Sequence, residues 1–156
     1  MKNIAIFPGS FDPITKGHEN IVRRALPLFD KIIVAIGHNA DKRNLFSIEQ
    51  RMDFIKKTFA DTPKIIVETY EGLTVDFCKK HNANFLLRGL RNATDFEFER
   101  DIASFNKDLS PNLETLFMLT ELAYSHISSS VVREVLRHNG DIAKFLPNAL
   151  KNETFN

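Results

Sequence analysis

Five short apolar runs, separated by stretches with helical spacing, constrain this chain more than any other feature. They are Ile4-Ala5-Ile6-Phe7, Ile32-Ile33-Val34-Ala35-Ile36, Lys64-Ile65-Ile66-Val67-Glu68, Phe85-Leu86-Leu87 and Leu116-Phe117-Met118-Leu119. Continuous rather than alternating apolar runs mark strands buried on both faces, as in a parallel sheet covered by helices. Between them, Ile21, Val22, Ala25, Leu26 and Phe29 recur at helical spacing, and Ser47-Ile48-Glu49-Gln50 is a capping box opening a helix to about Phe59. Residues 73–81 and 94–107 predict a third and a fourth helix, the latter with Phe98, Ile102 and Phe105 on one side. Residues 129–138, stopped by Asn139-Gly140, predict a fifth, and a short last helix is expected around 145–152.

Strand–helix alternation of this kind builds βαβ units with right-handed crossovers. The expectation is an α/β fold with a doubly wound, five-stranded parallel sheet. A length of 156 residues suits a single domain spanning the whole chain. In such sheets ligands bind beyond the carboxyl ends of the strands, where strand order reverses. Chemistry should therefore lie just after Phe7, Ile36, Val67, Leu87 and Leu119.

Charge narrows the partners. The 21 basic and 20 acidic residues give a formal net charge of +1, without the basic excess that binding a nucleic acid draws on. A small anion needs only a local cluster of cations. The single cysteine, Cys78, excludes an intramolecular disulfide and a Cys-rich metal site, and its apolar–polar surroundings suggest packing. The apolar stretch near Met1 is too short for a signal peptide, and no run approaches the ~18 residues of a membrane span. The chain reads as cytoplasmic.

Neither G-x-G-x-x-G nor the P-loop pattern occurs among the glycines. Strand one leads instead into Pro8-Gly9-Ser10-Phe11-Asp12-Pro13-Ile14-Thr15-Lys16-Gly17-His18. Gly9 would let the chain turn off the strand, Asp12-Pro13 would fix a turn, and Thr15 is a candidate cap. Gly17 and His18 fall at a helix start, whose free N–H groups and positive dipole end suit an anion. Leu87-Arg88-Gly89-Leu90-Arg91 follows strand four, and its two guanidiniums can grip phosphate bidentately or pair with Asp95 and Glu99. Ser128-Ser129-Ser130 precedes a helix, where capping and anion binding use the same groups. Arg133 lies one turn into that helix, and the sequence does not assign it a role. Lys42 and Arg43 share the loop after strand two, and the sequence alone does not choose between them. No His or Cys cluster suggests a metal held by protein.

The eleven-residue string resembles the T/H-x-G-H signature of the nucleotidyltransferase superfamily. With Leu87–Arg91, Asp95-Phe96-Glu97-Phe98-Glu99 and Ile127–Arg133 in this order, the chain resembles the bacterial phosphopantetheine adenylyltransferases from Ile4 to about Pro147. The resemblance implies a Rossmann-like nucleotidyltransferase fold, a homohexamer, and reversible adenylyl transfer from ATP to 4′-phosphopantetheine, giving dephospho-coenzyme A and pyrophosphate. It implies that His18, Lys42 and Arg88 are catalytic. ATP would be bound by Ser10, Phe11, His18, Gly89, Leu90, Arg91, Glu99, Tyr124, Ser125, His126, Ile127, Ser128, Ser129 and Ser130. The acceptor would meet Ser10, Lys42, Thr74 and Arg88. Against the family pattern, Ser10 stands where Thr is common, Phe7 and Phe98 where Tyr is, and Tyr124 where Trp is frequent. Thr74 stands where an aliphatic residue is usual, so a contact from its side chain is not implied.

Overall fold

The computed structural model describes residues 2–38 and 43–155. The expected Lys42 contact lies outside them. Five strands form one parallel sheet: β1 (Ile4–Gly9), β2 (Lys31–Gly37), β3 (Ile65–Tyr70), β4 (Phe85–Leu90) and β5 (Glu114–Leu119), in the order β3-β2-β1-β4-β5. The helices are α1 (Lys16–Ala25), α2 (Ile48–Thr58), α3 (Thr74–Lys80), α4 (Ala93–Leu109) and α5 (Ser129–Arg137). The chain winds outward through β1, β2 and β3, then returns to lay β4 on the other side of β1. Strand order therefore reverses between β1 and β4.

The interior strands β1 and β2 are buried on both faces, as continuous apolar runs require. One face of the sheet carries Ala5, Phe7, Ile32, Val34 and Ile36 against Ile21, Val22 and Ala25 of α1, Phe54 and Ile55 of α2, Val132 of α5, and Leu146 and Leu150 near the C-terminus. The other face carries Ile6, Ile33, Ala35 and Leu86 against Val75, Phe77 and Cys78 of α3. Each fully buried aliphatic side chain contributes on the order of 1.5–3 kcal/mol of transfer free energy. Cys78 is a packing residue, and burial pushes its thiol up to about 12, away from the reactive thiolate.

The structure corrects two expectations, at the edge strands and at the last helix, and adds a finding at α4. The edge strands β3 and β5 are only half-buried, and Leu116 and Leu119 of β5 are exposed. The apolar side of α4 faces outward: Phe98 is 67% and Phe105 72% exposed, and Glu99 is the only residue of the helix that is buried. The predicted last helix is instead a pair of single 3₁₀ turns, Ala143–Phe145 and Asn148–Leu150, because Pro147 between them interrupts the backbone ladder. No helix among the described residues is long and apolar enough to cross a membrane.

Candidate active site

The crevice at the switch point begins where β1 and β4 part. They pair only at Ala5–Phe85 and Ile6–Leu86, whereas β4 goes on pairing with β5 as far as Leu90. Pro8 has no N–H to extend the β1–β4 ladder. The Arg88 side chain spans the gap instead, donating from Nη1 to the Pro8 carbonyl at 2.6 Å.

The loop leaving β1 owes its shape to Phe11 rather than to Gly9. Phe11 holds φ at 45°, in the left-handed region, at a cost of about 1–2 kcal/mol that burial of its ring offsets. Gly9 is needed for another reason: a Cβ there would lie 3.0 Å from the Phe11 ring. Asp12, expected only to shape a turn, is 2% exposed and accepts from the backbone N–H of Leu45 at 2.8 Å and of Phe46 at 2.9 Å. Arg51 of α2, 3% exposed, closes the bracket by donating to the carbonyls of Phe46 at 3.1 Å and Ser10 at 2.8 Å. Phe155 packs edge-on against Phe46 and Phe54 from the other side. Sequence reasoning missed Arg51, because nothing in its helical neighbourhood distinguishes it from a solvated cation.

Thr15 caps α1 in a capping box whose third helical residue is His18. The Thr15 backbone N–H donates to His18 Nδ1 at 3.1 Å, and the Thr15 hydroxyl lies at the same distance. With Nδ1 an acceptor, the proton of the neutral ring sits on Nε2, which is left as the donor available to a ligand. Burial, then the nearby Arg88 and Arg91 guanidiniums, hold the imidazole pKa down to about 4, so the ring is neutral at pH 7. Phe7 and Phe11 flank it at ring-centroid distances of 6.2 and 5.1 Å.

His18 opens onto a cavity of about 330 Å³. Of the sequence-predicted ATP-side residues, Ser10, Phe11, His18, Gly89, Arg91, Glu99, Ile127, Ser128, Ser129 and Ser130 line it, and so does Arg88, expected on the acceptor side. Leu90, Tyr124, Ser125 and His126 do not. Leu90 is buried in the fold, and Ser125 Oγ is turned back on the Leu122 carbonyl at 3.0 Å by the 3₁₀ turn Leu122–Tyr124. Arg133, given no catalytic role from sequence, does line the cavity, donating to the Asp12 carbonyl at 2.8 Å and to Ser130 Oγ at 3.1 Å. Its place one turn after the Ser run, on the same helical face, is the signal that could have found it.

The guanidiniums are held by carboxylates. Arg88 grips Glu99 with two donors, the Nε contact being 2.8 Å, and Arg91 pairs with Asp95 at 3.0 Å. Glu99 is buried at 8% exposure, so breaking its pair would strand a charge. Gly89 lets β4 pass close to α1: a Cβ there would stand 3.0 Å from Ile21 Cγ1.

A second cavity, of about 560 Å³, runs from Ser10 and Arg88 toward the ends of β2 and β3, and Thr74 lines it. The two cavities share Pro8, Gly9, Ser10, Arg88 and Glu99. Among the described residues no group of three His, Cys, Asp or Glu side chains could hold a metal ion.

A doubly wound sheet with a His and a Ser-rich helix N-terminus at its switch point defines a Rossmann-like nucleotidyltransferase fold. The profile of the cytidylyltransferase-like family matches residues 6–135. Phosphopantetheine adenylyltransferase from Flavobacterium johnsoniae is 58% identical over 147 residues, 94% of this chain and 96% of that one. The enzyme of the same name from Flavobacterium psychrophilum is 56% identical over 94% and 97%. A crystal structure of a bifunctional NMN adenylyltransferase/ADP ribose pyrophosphatase from Francisella tularensis shares the fold at a TM-score of 0.71 and 19% identity. It matches 94% of this chain, which spans 45% of that longer protein. The chain belongs to the phosphopantetheine adenylyltransferases, within the cytidylyltransferase-like proteins.

Proposed function

We propose that the protein transfers the adenylyl group of ATP to 4′-phosphopantetheine, reversibly, yielding dephospho-coenzyme A and pyrophosphate. The observation that carries the reading is the wall common to two cavities: Ser10 and Arg88 face both, where the ends of two anionic substrates would have to meet. ATP takes the cavity of His18, Arg91 and the Ser128–Ser130 run, and a Mg²⁺ would be carried on its phosphates. The acceptor takes the cavity of Thr74, with its phosphate near Ser10 and Arg88.

An oxygen of the acceptor phosphate attacks the α-phosphorus in line. One phosphorus–oxygen bond forms, the bond to the β-phosphate bridge breaks, and its electrons leave with pyrophosphate. The nucleophile is already anionic, so no side chain need supply one or remove a proton. The chain's task is to hold two repelling anions and stabilise the charge that builds between them. The neutral His18 ring donates from Nε2 to an α-phosphate oxygen. Arg88, locked by Glu99 and the Pro8 carbonyl, is preorganised at the junction.

The exposed apolar side of α4 fits burial between copies of the chain in a homohexamer, which light scattering tests. A biosynthetic reaction on these soluble substrates belongs in the cytoplasm. The decisive assay incubates the enzyme with ATP and, separately, 4′-phosphopantetheine, nicotinamide mononucleotide or glycerol phosphate, and follows pyrophosphate. Release with only one of the latter two overturns the reading.

A further inference from the structure

Arg51 lines neither cavity, yet one of its bonds ends where they join. Its Nη1 donates to the Ser10 carbonyl at 2.8 Å, and Ser10 faces both cavities. A planar trans peptide sets the carbonyl of Ser10 and the N–H of Phe11 in opposite directions. With the carbonyl turned toward α2, the Phe11 N–H points away from α2, and it makes no hydrogen bond to another described residue.

The backbone preference of Phe11 runs against this orientation. Its φ of 45° lies in a region that a phenylalanine avoids. Turning the Ser10–Phe11 peptide over would carry that φ into the extended region and put a carbonyl oxygen where the N–H now stands. A carbonyl oxygen repels phosphate, and the donor would be lost. Among the described residues, the Arg51 bond is the one hydrogen bond that the Ser10 carbonyl accepts.

Arg51 is built to hold it. At 3% exposure, water does not compete for its donors. Its Nε is fastened to the Phe46 carbonyl at 3.1 Å, and the Phe46 ring packs against Phe54 and Phe155 at centroid distances of 5.3 and 5.9 Å. A rigid fork donates in two directions at once, which an ammonium on a flexible stem does not. Balancing the Asp12 charge does not account for it, since Arg133 Nη1 stands 3.9 Å from the same carboxylate. We propose that Arg51 is a positioning residue for adenylyl transfer: by holding the Ser10 carbonyl, it keeps the Phe11 N–H turned toward the phosphates at the junction of the two cavities. This role rests on the adenylyl-transfer reading above.

The test compares wild type with Arg51→Met, Arg51→Lys and Phe29→Leu at a temperature where each is folded. Lysine keeps the charge beside Asp12, but its Nζ ends one bond short of the place where Nη1 meets Ser10. Phe29→Leu loosens the core where Phe29 packs on Phe85, ahead of β2 and away from the crevice. With ATP and 4′-phosphopantetheine, kcat should fall about 10- to 100-fold in Arg51→Met, approaching the loss of one preorganised donor, and at least about 3-fold in Arg51→Lys. Phe29→Leu should lower Tm and keep its kcat. In crystals of the Arg51 variants the Ser10–Phe11 peptide should be turned over or divided between two orientations. Wild-type kcat in Arg51→Lys would leave charge balance as the whole role and overturns the proposal, and that variant decides alone if Arg51→Met does not fold. A peptide that keeps its wild-type orientation in the variants also overturns it. A wild type that releases no pyrophosphate with 4′-phosphopantetheine refutes the reaction instead, and the peptide orientation in the crystals then decides what Arg51 does.

Discussion

Lowering the pH from about 7 to about 4.5 should remove stability from the wild-type protein that a His18→Asn variant does not lose. The imidazole is held down to about 4 in the folded protein against 6.5 in the unfolded chain. Between those values the unfolded chain binds a proton that the folded one refuses, so the stability present above pH 6.5 drains away as pH falls toward 4. The full shift is worth on the order of 3 kcal/mol at about 1.4 kcal/mol per unit. His18 as a residue is only half-buried on the cavity wall, and discounting for solvent screening leaves about 2 kcal/mol. Urea denaturation of both proteins at half-unit pH steps measures the effect. The carboxylates are common to both and largely cancel in the difference, while the lost Thr15 contacts of the variant add a constant offset. The two stability curves should converge by about 2 kcal/mol on acidification. Curves that stay parallel across the window, or an NMR titration placing His18 near 6.5, would refute the reasoning. Bound ATP should raise the His18 pKa, since its phosphates favour the imidazolium.

His18→Ala should retain ATP binding by calorimetry while losing at least about 10²-fold in kcat, the loss expected on removing one preorganised donor. Near-normal turnover in a folded variant would remove His18 from the mechanism. Arg51→Met strips the Phe46 and Ser10 carbonyls of a buried donor and removes one of the two cations beside Asp12, so urea denaturation should show a loss of about 3 kcal/mol. Gly89→Ala drives a methyl against Ile21, which is 2% exposed, and should lower stability by about 1–2 kcal/mol, read as a drop of several degrees in Tm.

The interior of the fold was legible because the period of its apolar residues states how many faces are covered. Ile4–Phe7 and Ile32–Ile36 read as doubly buried strands, and they are. The same reasoning failed at Leu116–Leu119, since a continuous apolar run does not say whether a second layer of the same chain or another molecule will cover it. The α4 residues Phe98 and Phe105 mislead in the same way. At the site, every strand end named in advance leads to the crevice or its rim, because the switch-point rule depends only on topology. The pairing state of each cation was not readable. Both alternatives for Arg88 and Arg91 were open from spacing, and the structure pairs both while leaving them on the cavity wall. Arg51 and Asp12 stayed hidden because their partners are main-chain atoms, and a backbone amide or carbonyl has no letter in a sequence.

That last point bears on how this enzyme could diversify. The bracket between residues 10–12 and 45–46 is written in peptide groups: Asp12 takes two amide protons, and Arg51 gives to two carbonyls. Substituting Leu45 or Ser10 leaves those groups where they were, so lineages could re-tune the neighbourhood of the acceptor phosphate without loosening its frame. Adding or deleting one residue in either stretch would shift every peptide out of phase. Length, more than spelling, is what these two loops must keep.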